Sequence, residues 1–182
     1  MICRGVFLEE TVKVLRFITK YMLMFALASF IGWAYEVICT FVLFHYWADR
    51  GVLHLPFCPI YGFGILILYL IFRKVKEPLL IFLGSAVITT AIELGASYIL
   101  EYFFHVQLWS YKGWYFNFDD RISLISSCIF GLMAVCFLKL IVPLTERIYS
   151  SKIKDIAAVS VALFYVFCIV WEVIHGGPVP TV

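Results

Sequence analysis

Apolar residues run through this chain in long unbroken stretches, and short clusters of charge separate them. That pattern predicts membrane-spanning helices joined by loops. The first predicted span is 21–44, which at 1.5 Å per residue reaches ~36 Å and covers a ~30 Å hydrocarbon core with some tilt. Ile60 to Phe72 leaves only thirteen residues before Arg73. The second span, 56–72, must therefore borrow length from the proline-broken run Leu53 to Pro59, and it reads as a short helix with a sunken start. The third span is 79–104 and the fourth 122–142, with Pro143 as its stop signal. The fifth is 156–174. The expected fold is all-α: one membrane domain over 21–175, a polytopic bundle of about five transmembrane helices with a re-entrant or sunken loop before the second span. A cytoplasmic segment, 1–20, precedes it and a tail, 176–182, follows it outside.

Composition agrees, since 64% of the 182 residues are hydrophobic and 14% are charged, against roughly a quarter charged in a soluble domain. Basic residues give the direction, because Lys and Arg near span ends stay in the cytoplasm. Eleven of the fourteen fall in the N-terminal segment and in the 73–76 and 139–154 clusters, leaving Arg50, Lys112 and Arg121 for the other side. The expected topology has the N-terminus inside and the C-terminus outside. Ala26-Leu27-Ala28 looks like a signal-peptide cleavage pattern, but Glu9 and Glu10 spoil the positive leader and the apolar run continues past it. Val6 to Thr19 instead places Phe7, Leu8, Val12, Leu15 and Ile18 on one helical side. This reads as an amphipathic helix on the membrane face, with a solvated extension of the first span as the alternative. The cysteines form no CxxC pair and indicate neither disulfides nor zinc.

Chemistry must come from polar groups set where a bilayer makes them expensive. A carboxylate at mid-bilayer costs ~2.5 to 3.5 kcal/mol on insertion scales, so it faces a bundle interior or a wet cavity. Glu36, Glu93, Glu101 and Glu172 qualify, and each falls in the predicted outer half of its span. Ser29, Gly32, Glu36 and Thr40 share a helical side. Ser85, Thr89, Glu93, Ser97 and Glu101 recur every four residues, and Ser123, Ser127 and Gly131 do likewise in the fourth span. Such stripes also let membrane helices pack closely. Arg50 and Arg121 stand at the same level as counter-charges, either as an internal ion-pair lock or as one half of a site exchanged for a charged ligand. The expected arrangement brings Glu36, Glu93, Arg50 and Arg121 together.

The densest pattern runs from Asp49 to Gly64, DRGVLHLPFCPIYGFG, where two prolines and three glycines preclude a regular helix and predict a dipping hairpin that lines a cavity. Gly32-Trp33-x-x-Glu36, Arg50-Gly51 and Pro56-Phe57-Cys58-Pro59-Ile60-Tyr61-Gly62-Phe63-Gly64 together resemble the bacterial ABC-transporter type IV, or CmpB-like, membrane permeases. Glu93, Trp109-x-Tyr111, Asn117 and Arg121-Ile122-Ser123-Leu124 extend the resemblance over about two thirds of the chain. The sequence departs from the pattern at Asp49 for Asn, Leu55 for Gly, Ser110 for Asp and Asp120 for Gly. The resemblance implies a bacterial cell-membrane location and a transport-related, permease-type subunit. It also implies a ligand site drawn from Glu36, Arg50, Cys58, Tyr61, Gly62, Gly64, Glu93, Trp109, Tyr111, Asn117 and Arg121.

No GxxxxGK[ST] phosphate loop occurs, so ATP hydrolysis would need a separate cytoplasmic ATPase subunit docked on short inner connections. The expected class is accordingly not an enzyme, and no catalytic residue is assigned. Expected partners are the bilayer, that ATPase and a second copy of the chain, with no nucleic acid. No cofactor is expected. A rival reading, a metal-binding membrane enzyme or carrier, rests on Glu101-x-x-x-His105 and Glu172-x-x-His175, although the Glu-x-x-His motif of di-metal bundles comes in two copies and only one stands here. A third reading is a non-catalytic partner protein built around an ion-pair network.

Overall fold

The computed structural model describes residues 2–47, 55–107 and 109–175, with only the backbone of residues 2–8, 43 and 44. Arg50, Gly51, His54 and the 176–182 tail lie outside the described residues. The chain folds as α1 (Ile2–Phe44), α2 (Pro59–Phe72), α3 (Pro78–Phe104), the short strands β1 (Asn117–Phe118) and β2 (Ile122–Ser123), α4 (Leu124–Cys136), a π-helical turn (Phe137–Ile141), α5 (Val142–Ser150) and α6 (Lys154–His175). Since α4, the π turn and α5 are continuous, these make five helical rods. Four are long and apolar enough to cross a membrane, and α2 is the shorter apolar helix. The all-α membrane architecture read from the sequence is thus the one observed.

Two boundaries differ from the sequence expectation. No break separates residues 9–20 from the first span, so the N-terminal segment is an extension of α1. Pro143 does not stop the fourth helix, which runs from Leu124 through Ser150. Proline lacks an N–H and its ring crowds the carbonyl four residues earlier, here that of Lys139. The turn carrying Lys139 is wound as a π-helix, which displaces that carbonyl and lets the rod continue.

The described residues separate into two compact units, one within 1–66 and 141–175 and the other within 67–140. In the first, α1 is met by the start of α2 and by α5 and α6. Phe57 and Cys58 are buried ahead of α2, and the Cys58 N–H donates to the Ser29 carbonyl at 3.0 Å. That bond fixes non-helical backbone beside the middle of a helix long enough to span a bilayer. Close approach is what the glycines permit: Gly32 lies under the Tyr61 ring, and Gly62 lies against Phe25 and the Ser29 hydroxyl. Phe25 and Phe63 meet edge to face at 4.9 Å. At the charged end, Arg16 pairs with Asp155 at 2.6 Å and Lys20 with Glu146 at 3.2 Å, while the Tyr165 hydroxyl donates to the Met22 carbonyl.

In the second unit α3 packs along α4. Gly131 lies against the backbone and ring of Phe82, and the Thr90 and Ser127 hydroxyls meet at 2.5 Å. Ser123 caps α4 reciprocally with Ser126. Lys139 donates to the Lys76 carbonyl at 2.8 Å and so ties the π turn to the α2–α3 connection. The α3–α4 connection forms a hairpin in which Asn117 pairs with Ser123 and Phe118 with Ile122. Asp119 and Asp120 both have positive φ, and the Arg121 N–H closes the turn on the Phe118 carbonyl. This is the mirror-image turn that suits the twist of a hairpin and favours Asp-Gly.

Glycine placement yields a paired prediction. Gly62→Leu should cost ~1 to 3 kcal/mol of thermal stability by overpacking against Phe25. Gly64→Leu, whose side chain would meet nothing within 4 Å, should melt within error of the parent in the same detergent. At Asp120, where the backbone is left-handed and the family pattern has glycine, Asp120→Gly should stabilise by up to ~1 kcal/mol. A lower melting temperature for that variant would contradict the strain assigned to the turn.

Candidate polar site beneath the hairpin

Glu93 sits near the middle of α3, fifteen residues and ~22 Å beyond Pro78. Its side chain is 7% exposed. The periodicity that brings it inward also brings Ser85 and Ser97, which are buried on the same helix. Thr89 and Thr90, on the turn before Glu93, donate back to the carbonyls of Ser85 and Ala86, which satisfies their hydroxyls within the helix. The Tyr111 hydroxyl donates to Glu93 Oε1 at 2.6 Å. A buried carboxylate is held by a hydrogen bond of this charge-assisted kind, shorter than a neutral one.

Tyr111 reaches that depth because the connection carrying it is tied to the hairpin. Its own N–H donates to the Asp120 carbonyl at 2.7 Å, and Trp109 Nε1 donates to the Arg121 carbonyl at 3.1 Å. Asn117 holds the Trp114 carbonyl at 2.9 Å, shaping the turn that leads into the hairpin. Trp109, Tyr111 and Asn117, selected from the sequence as site candidates, therefore belong to one hydrogen-bonded strap, from which Tyr111 donates to the carboxylate. Backbone of this irregular kind is excluded from lipid-exposed membrane depth, so its hydrogen bonds within the protein are a condition of its being there.

Arg121 fastens the strap to α3. Its guanidinium pairs with Glu101, donates to Asp119 at 2.8 Å and to the Ser97 hydroxyl at 2.9 Å, and lies 4.3 Å from the centre of the Tyr98 ring. Tyr98 donates to Asp119 at 2.9 Å. Hydrogen bonds from Arg121, then from Tyr98, hold the Asp119 carboxyl below its ordinary range. The same pairing with Glu101 and Asp119 raises Arg121, which stays charged. Arg121 at the head of the α4 segment thus takes Glu101 and Asp119 as its ion-pair partners. Asp119 and Tyr98 were missed in the sequence, where the Asp119-Asp120 pair before Arg121 was the available signal.

The remaining candidates fall in the other unit or outside the described residues. Cys58 is buried at the head of α2, Tyr61 covers Gly32, and Gly62 packs on Phe25; Gly64 has open space over its α-carbon. Glu36 is half-buried on α1, and its carbonyl accepts the Thr40 hydroxyl. The convergence of Glu36 and Arg50 on Glu93 involves residues beyond the described set. Among the described residues, no three His, Cys, Asp or Glu side chains gather as a metal would require. The Glu101 and His105 pair is divided: Glu101 is bound to Arg121, and His105 ends α3 in a left-handed conformation, its N–H on the Glu101 carbonyl. His175 stacks on Trp171 at 4.1 Å, while Glu172, half-buried on the same helix, is separately engaged.

A family model described as "Putative ABC-transporter type IV" matches residues 23–175, which include every described residue of the strap and of the α1–α2 contact. No curated protein and no solved structure matched the chain. With four helices able to cross a membrane and a match over nearly its whole length, the chain is a multi-pass, transport-related membrane protein that belongs to this ABC-transporter type IV family.

Proposed function

We propose that the chain is a non-enzymatic, permease-type subunit in which Glu93 is the ligand-binding carboxylate and Tyr111 its mobile cap. The hydrogen bond from Tyr111 to Glu93 carries this reading. Packing alone gives a membrane helix no use for an ionisable group near its middle, and such groups mark substrate or ion pathways. A carboxylate capped by a neutral phenol can exchange that donor for a cationic or protonated group without leaving a charge behind. The family description adds a partner: with no phosphate-loop pattern in the sequence, energy would come from a separate ATPase on the basic side. That side carries the 73–76 and 139–154 clusters, whose excess of Lys and Arg supports a cytoplasmic face in a bacterial cell membrane, with the strap facing out.

Two experiments test this. Native mass spectrometry of the purified protein should show a small-molecule or ion adduct that survives detergent removal and is lost in Glu93→Gln, while the variant remains folded and monodisperse in the same detergent. Identical adduct patterns in the two proteins would refute the assignment. In whole cells, an impermeant maleimide should label Lys112→Cys and spare Lys76→Cys; the reverse result inverts the topology.

A further inference from the structure

The hairpin ties Asn117, Asp119 and Arg121 to the protein by hydrogen bonds and leaves three of its aromatic side chains exposed. Tyr115, Phe116 and Phe118 are 79%, 80% and 60% exposed, three large rings within four residues. A soluble loop tip has no reason to carry them. Their level along α3 is fixed by the strap's own bonds, because Arg121 and Asp119 are held at Ser97, Tyr98 and Glu101, one to two turns before α3 ends at Phe104. Where α3 leaves the membrane, Tyr102, Phe103 and Phe104 are themselves more than half exposed, so the hairpin rings continue the aromatic surface at the end of a span. That is the depth at which Tyr, Trp and Phe settle, between headgroups and acyl chains.

Backbone strain points the same way. Phe116 holds φ at +54°, a conformation that bulky residues rarely adopt. Hydrogen bonds hold it there: the Leu124 N–H donates to the Phe116 carbonyl, and Asn117 is anchored on Trp114. The Phe116 ring is exposed among the described residues, so little packing there offsets the strain, whereas burial in a lipid interface would.

We propose that the Trp114–Arg121 hairpin is a membrane wedge, with Tyr115, Phe116 and Phe118 seated in the headgroup–acyl boundary of the leaflet in which α3 ends. The occupant of this surface is lipid rather than a second protein, because the surface is continuous with the lipid-facing end of a span. Seating the tip in lipid would also hold Tyr111 over Glu93, making the cap sensitive to the bilayer.

The test is nitroxide labelling of Phe116→Cys, with Tyr115→Cys as a second variant, in phosphatidylcholine vesicles. Collisional relaxation by dissolved oxygen should exceed that by a water-soluble nickel chelate at both positions. Greater relaxation by the nickel chelate at both positions would overturn the proposal, as would dipolar broadening that grows with the protein-to-lipid ratio, the signature of a second copy on this surface. Should one variant fail to fold, the other decides alone. The outcome is independent of whether Glu93 binds a ligand.

Discussion

A carboxylate near the middle of a membrane-length helix constrains everything around it. Glu93 cannot be left unsatisfied, since an unpaired buried charge costs several kcal/mol. The chain answers with a phenol delivered from outside the helix, Tyr111 at 2.6 Å. Delivery requires the α3–α4 connection to dip, and dipping requires its backbone groups to be bonded within the protein. The remaining features follow from that need. The turn at Asp119 and Asp120 forms the hairpin, the Asp120 and Arg121 carbonyls take the Tyr111 N–H and the Trp109 indole, and Arg121 clamps the assembly to Ser97 and Glu101.

The other unit solves a related problem with different material. Its α2 is a helix too short to match its neighbours, and the non-helical residues ahead of it bond to the Ser29 carbonyl of α1. Here small residues set the contact: Gly32 admits the Tyr61 ring and Gly62 admits Phe25, so that two backbones approach closely. A glycine contact of this kind is rigid and apolar, whereas an Arg–carboxylate clamp can be exchanged or titrated.

Long apolar runs are a collective signal, and they sufficed to read an all-α membrane architecture. The four-residue recurrence of Ser85, Thr89, Glu93, Ser97 and Glu101 marked a buried face of α3 correctly for Ser85, Glu93 and Ser97, while Glu101 is exposed and finds its partner at the hairpin. Local punctuation was less reliable. Pro143 reads as a stop in one dimension, yet a π turn absorbs it, because the wider winding moves the Lys139 carbonyl away from the proline ring. His105 reads as a ligand by its spacing from Glu101, but it ends α3 in the left-handed conformation usually given to glycine, a backbone role that side-chain chemistry does not announce. The hairpin was illegible because its turn residues are Asp119-Asp120, without the glycine that signals such a turn.

The central claim is that Tyr111 and Glu93 are energetically one unit. A double-mutant cycle of Tyr111→Phe and Glu93→Gln, read by thermal or denaturant unfolding in one detergent, measures that coupling directly. The account predicts a favourable interaction of about 1 kcal/mol or more, typical of a hydrogen bond to a buried charged group. Additive effects of the two substitutions, with no coupling beyond error, would contradict it.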